Sequence, residues 1–127
     1  MRARFIDSWG SALTGENPDG EEKWELAFEI ANALCRSFPD SVTAIIEAAN
    51  CLHKLGKTQK AKDRMMTGPA EKWGSGLWHF DMARFECQLG DLAPAKFYLQ
   101  EATIRNSGYA HIAMHEPDLE PLWDSLS

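Results

Sequence analysis

His111 and His115 stand four residues apart, with Glu116 and Asp118 close behind. On a helix, histidines at i and i+4 share a face and are spaced to hold a metal ion. This stretch is short, bracketed by Gly108 and Pro117, with no cysteine or further histidine beside it and no His-Glu-x-x-His. It reads as polar side chains that cap a helix end and face solvent; a metal-binding protein or enzyme built on the two histidines is the remote alternative. Cys51 and His53 are two apart, so a helix aims them in different directions and they cannot serve as nucleophile and base. Gly74-Ser75-Gly76 lacks a following Lys-Ser/Thr, so it reads as a linker and N-cap and not as a phosphate loop. Glu21-Glu22 and Asp118/Glu120 fall at expected helix N-termini, where the helix dipole favours acids. The expectation is therefore no catalytic residue, no metal and no cofactor.

Two features suit contact with other molecules. Lys54, Lys57, Lys60, Lys62 and Arg64 form a basic stripe in which Asp63 is the lone acid. Opposed to it, Glu16–Glu25 and Glu116–Asp124 are acidic. The stripe reads as a solvated outer face, or, more sharply, as a contact for an acidic partner or for the acidic end of a neighbouring copy. Of the tryptophans, Trp9, Trp24, Trp78 and Trp123 fit helical core faces. Trp73, in the loop Gly68–Gly76, reads as a core or loop anchor, with an interface role as the alternative.

The elements that position these residues are set by glycine, proline and apolar spacing. Turn-forming stretches fall at Gly15–Gly20, Phe38-Pro39-Asp40, Gly56, Gly68-Pro69, Gly74–Gly76, Gly90-Asp91 and Ser107-Gly108. Between them the apolar spacing is helical, and no alternating run predicts a strand. Helices are expected over about 3–13, 22–37, 41–55, 58–66, 76–89, 92–105 and 117–125. Ser41 or Asp40 and Asp91 are the expected N-caps, Gly56 and Gly90 the closing glycines. In the second helix Trp24, Ala27, Phe28, Ala31, Leu34 and Cys35 are spaced for a core face.

At 127 residues the chain is the length of one domain. Its net charge of −6 and pI near 5.1 argue against nucleic acid and anionic membranes, which select basic surfaces. No run of 18 apolar residues predicts a membrane span and no apolar stretch follows Arg2 and Arg4 as a secretory signal would require. Cys35, Cys51 and Cys87, an odd number inside apolar helical patterns, read as reduced, buried thiols of a cytoplasmic protein.

Small residues recur at a fixed period. Leu55-Gly56 and Leu89-Gly90 are 34 residues apart, as are Ala49 and Ala83, Ala61 and Ala95, and Ala27 and Ala61. A small residue repeating at one register places two helices in close approach once per repeat, and a repeating glycine makes the same turn. In Gln88-Leu89-Gly90-Asp91-Leu92-Ala93-Pro94-Ala95-Lys96, and one repeat earlier in Cys51–Ala61, the chain resembles the tetratricopeptide repeat family. Pro39, three residues before Val42, fits that family's inter-repeat proline. The resemblance covers about residues 3–106. It is weaker at the long loop Gly15–Glu21 and at Gly68-Pro69, where the fourth helix ends early.

The resemblance implies an all-α fold: antiparallel hairpins at about 3–37, 41–67 and 76–106, stacked as a short right-handed superhelix. A capping helix at about 117–126 closes the array, with Leu119, Leu122 and Trp123 covering the last hairpin. It also implies a concave groove lined by the first helix of each hairpin. The groove residues expected are Thr43, Ile46, Glu47, Asn50 and His53 from one helix and Leu77, Phe80, Asp81, Arg84 and Gln88 from the next. Lys54 and Cys87 fall on the same faces. Either a peptide or partner helix lies there, or the C-terminal segment fills it. Some family members clamp a chain-terminal carboxylate with basic residues in this groove. Here Asn50 and Arg84 would be remnants of such a ring, and Glu47 and Asp81 would repel the ligand, so that clamp is not expected. The function implied is a non-catalytic protein-interaction module or adaptor, monomeric or homodimeric, with another protein as partner. A small secretion-type chaperone holding an extended client is the alternative.

Overall fold

The computed structural model describes residues 20–67 and 76–126, and its regular elements there are all helical. The expected helix at 3–13, together with Trp9 and Trp73, lies outside the described residues. Helix α1 spans Gly20–Ser37, with Glu21 and Glu22 in its first turn and Arg36 in its last, each sign matched to the dipole. Helix α2, Val42–Lys54, starts where Ser41 Oγ accepts the Ala44 N–H at 3.2 Å. Helix α3 is Thr58–Met65, α4 Leu77–Gln88 and α5 Leu92–Arg105. No helix among the described residues is long and apolar enough to cross a membrane.

The turns after α2 and α4 are the same turn made twice. Gly56 has φ +79° and Gly90 φ +87°, a left-handed conformation that strains any residue with a Cβ. In the first turn the Gly56 N–H donates to the His53 carbonyl and the Lys57 N–H to the Leu52 carbonyl, both at 2.9 Å. In the second, Gly90 donates to Cys87 at 3.1 Å and Asp91 to Glu86 at 2.9 Å. Each bond is its predecessor moved along by the sequence period.

The alanines repeat with the turns. Ala49, Ala61, Ala83 and Ala95 are all 0% exposed, so helices approach closely at each. Helix α1 packs on α2, α2 on α3, and α4 on α5, while α3 meets α4. One core cluster includes Ile45, Ile46, Leu52, Met65, Met82 and Phe85. The second includes Phe80, Leu99, Ala113, Leu119 and Leu122. Each large side chain so buried contributes about 1.5–3 kcal/mol. Two indole N–H groups join elements at 2.8 Å: Trp78 donates to the Met65 carbonyl at the end of α3, and Trp123 to the Ala113 carbonyl.

Four local expectations are corrected. A short helix, α6 (Gly108–Ala113), stands where only a turn was expected. Asn106 Oδ1 accepts the Gly108 N–H at 2.9 Å and so starts it, but six residues are too few to show a period. The closing segment is a 3₁₀ helix, Pro117–Leu122, followed by one turn of α7, Trp123–Leu126. Pro121 has no N–H to donate along an α-helix, and the tighter coil accommodates it. Leu34 is 46% exposed and not on the core face of α1. Asp91 holds the N-cap position of α5 but makes no side-chain capping bond; its backbone carbonyl accepts from Ala95.

Candidate functional site

Asn50 and His53 lie one turn apart on α2, and Asp81, Arg84 and Gln88 lie at successive turns of α4. The two sets meet. Arg84 Nη1 donates to Asp81 Oδ1 at 2.7 Å and to Asn50 Oδ1 at 2.9 Å. Asn50 Nδ2 donates to Asp81 Oδ2 at 3.2 Å and to the Ile46 carbonyl at 3.1 Å. The amide is thus fixed between a carboxylate and a guanidinium, with both its ends used.

The C-terminal 3₁₀ helix completes the cluster. Asp118 Oδ2 accepts from Arg84 Nη2 at 3.2 Å and Nε at 3.3 Å, and lies 2.9 Å from His53 Nε2. Gln88 Nε2 donates to the Asp118 backbone carbonyl at 2.9 Å. The segment is positioned from its start, because Glu116 is its N-cap and Glu116 Oε2 accepts the Asp118 N–H at 3.2 Å. A carboxylate only accepts, so His53 Nε2 carries the proton. In the neutral ring Nδ1 then accepts from the Thr58 hydroxyl, 2.9 Å away.

Burial decides the electrostatics. It pushes the Asp81 carboxyl above its usual range, while the charge of Arg84 and the hydrogen bonds from Arg84 and Asn50 pull it down. Burial also works against the Arg84 charge, but Asp81, then Asp118 and Glu116, more than offset it, and the guanidinium is held charged more firmly than usual. Burial raises the thiols of Cys51, where Glu47 adds to the effect, and of Cys87, where Asp118 does. Neither is poised as a nucleophile.

The structure divides the ten expected groove residues. Asn50, His53, Asp81, Arg84 and Gln88 are brought together, around Asp118. Thr43, Glu47 and Leu77 are exposed. Ile46 and Phe80 are buried: Ile46 belongs to the first core cluster, and Phe80 stacks on Tyr109 with ring centroids 4.9 Å apart inside the second, which also holds Leu119 and Leu122. Sequence reasoning missed Asp118, Glu116 and Thr58 as members. The usable signal was the acid-Pro-acid order of Glu116-Pro117-Asp118, which marks a capped helix start whose second acid is free to face elsewhere.

His111 and His115 have ring centroids 4.8 Å apart and are both exposed, and no group of three or more metal-ligating side chains occurs among the described residues. No protein-family model, curated protein or solved structure matches this chain.

Proposed function

We propose that this chain is a non-catalytic protein-interaction module. It is a short tetratricopeptide-like array of antiparallel hairpins whose groove takes an extended segment of another protein and is filled meanwhile by its own C-terminal segment. The observation that carries the reading is the handling of Asp118. Its side chain is held by Arg84 and His53 and its backbone carbonyl by Gln88. Contacts to one side chain and to the main chain beside it are how a groove recognises a peptide. Leu119 and Leu122, buried in the second core cluster, act as the apolar anchors of the same segment. A partner segment offering an aspartate followed by leucines at that spacing replaces it.

Tethering gives the resident segment an effective concentration on the order of millimolar, so a competing peptide is best tested with the tether cut. The chain ending at Glu116 should bind a labelled peptide of residues Pro117–Ser127 with a Kd in the micromolar range (order of magnitude). Replacing the peptide's Asp118 by Asn should weaken binding about tenfold or more. A shortened chain that keeps its helical circular dichroism but does not bind the peptide would refute the reading. Should the shortened chain unfold, full-length Asp118→Asn replaces it: it should take up the same peptide more tightly than wild type, and no gain would refute the reading equally.

A further inference from the structure

We propose that Lys57 and Lys60, with the apolar floor beneath them, form a second docking surface, for an acidic peptide segment carrying an aromatic or aliphatic anchor. Lys57 and Lys60 are both exposed and border two adjoining grooves, of about 380 and 440 Å³. The second is lined also by Thr58 and Gln88, which belong to the Asp118 cluster. No residue of that cluster lines the first groove, whose floor is Phe28 and Leu52. Arg64 stands at its edge, fixed by a hydrogen bond to Asn32, with its guanidinium carbon 5.9 Å from the Phe28 ring centroid.

Charge complementarity names the occupant. Lys62 is paired with Glu86 at 3.2 Å. Asp63, the one acid in the stripe, also lines the first groove, and its partner Gln59, at 3.0 Å, is neutral and does not offset its charge; Lys57, Lys60 and Arg64 outnumber it there. Lys57 and Lys60 have no acidic partner among the described residues. They flank the start of α3, which Lys57 leaves without a side-chain cap. The first-turn N–H groups there have no intrahelical acceptor and carry the positive end of the dipole. Two ammonium groups, an uncapped helix start and an apolar floor fit carboxylates alternating with an apolar side chain. A net charge of −6 repels a long polyanion such as nucleic acid, whereas a short acidic segment meets the local excess of cations over Asp63.

The test uses the full chain and a fluorescein-labelled peptide, acetyl-Glu-Glu-Phe-Glu-Glu-amide, read by fluorescence anisotropy at low salt. The double change Lys57→Glu with Lys60→Glu should raise the Kd about tenfold or more, and Lys96→Glu on α5 should leave it within about twofold. Exposed lysines make the fold insensitive to these changes, which circular dichroism checks. Equal binding by wild type and the double variant overturns the proposal. A concentration-dependent dimer in sedimentation velocity that the double variant abolishes also overturns it, by making the acidic end of a second copy the occupant. The double variant shortened at Glu116 should still bind the Pro117–Ser127 peptide as its parent does, which separates this surface from the groove.

Discussion

Asn50 and Arg84 are 34 residues apart, occupy the same register of the sequence period, and hydrogen-bond to each other at 2.9 Å. Where one period places an amide the next places a guanidinium, and the two are cross-linked side to side. Asp81 accepts from both, so the three groups form a closed ring. Such a ring is satisfied only when complete, because removing any member strands a buried polar group.

Arg84→Met should therefore be the most damaging single change in the cluster. It leaves Asp81, 3% exposed, without its cation, and breaking a buried pair from one side costs about 3–5 kcal/mol. Asp118→Asn should cost less, about 1–2 kcal/mol, since Asp118 is partly solvated and Arg84 keeps Asp81. Urea unfolding measures both. Equal losses, or the reverse order, would show that the ring is not the dominant contact.

The Asp81 carboxyl predicts a pH dependence. Burial raises its folded-state pKa above the ordinary 3.8, so the folded chain binds that proton more tightly than the unfolded chain. Over the window between the two values the folded state carries more protons, and the stability from this group falls as pH rises through it. Asp81→Asn cannot titrate. The stability of Asp81→Asn minus that of wild type should become more favourable to the variant from about pH 4 upward. A difference that stays flat with pH would show that Asp81 titrates alike in both states.

Ala95→Leu is expected to overpack the α4–α5 contact and lower stability by about 1–3 kcal/mol, as Ala95 is fully buried in the second core cluster. The same change at Ala93, which is exposed, should stay within about 0.5 kcal/mol. Equal melting temperatures for the two variants would disprove the close approach at Ala95.

How much of this was legible depended on whether a residue's role is local. Gly56, Gly90, Ala49, Ala61, Ala83 and Ala95 act within one turn or one helix pair, and their spacing located them. Ser41 was legible as a cap for the same reason. Ala27, at the same spacing as those alanines, is only half-buried. That Phe80 and Ile46 are buried was not legible, because a helical face can be read from the sequence, but the cover over that face cannot. Tyr109, from a helix too short to show a period, covers Phe80. The cluster itself was half legible. Asn50, His53, Asp81, Arg84 and Gln88 share two helix faces, but Asp118 arrives from a 3₁₀ segment that contains Pro121 and whose direction no periodicity announces. Leu119 and Leu122 were still recognisable as cover for the last hairpin, since an exposed apolar end has to be buried by the next segment of the chain.

His53 and Asp118 touch across 65 residues of chain, whereas the turns at Gly56 and Gly90 close between near neighbours. Closing a long loop costs more chain entropy than closing a short one, and contacts distant in sequence form late. We infer an order of assembly: helix pairs first, the C-terminal strap last, with opening in reverse. The Leu119 amide, bonded to the Glu116 carbonyl at 2.9 Å, should then exchange with deuterium well before that of Leu99, in the middle of α5. Protection of Leu119 equal to that of Leu99 would mean that the strap and the helices melt as one unit.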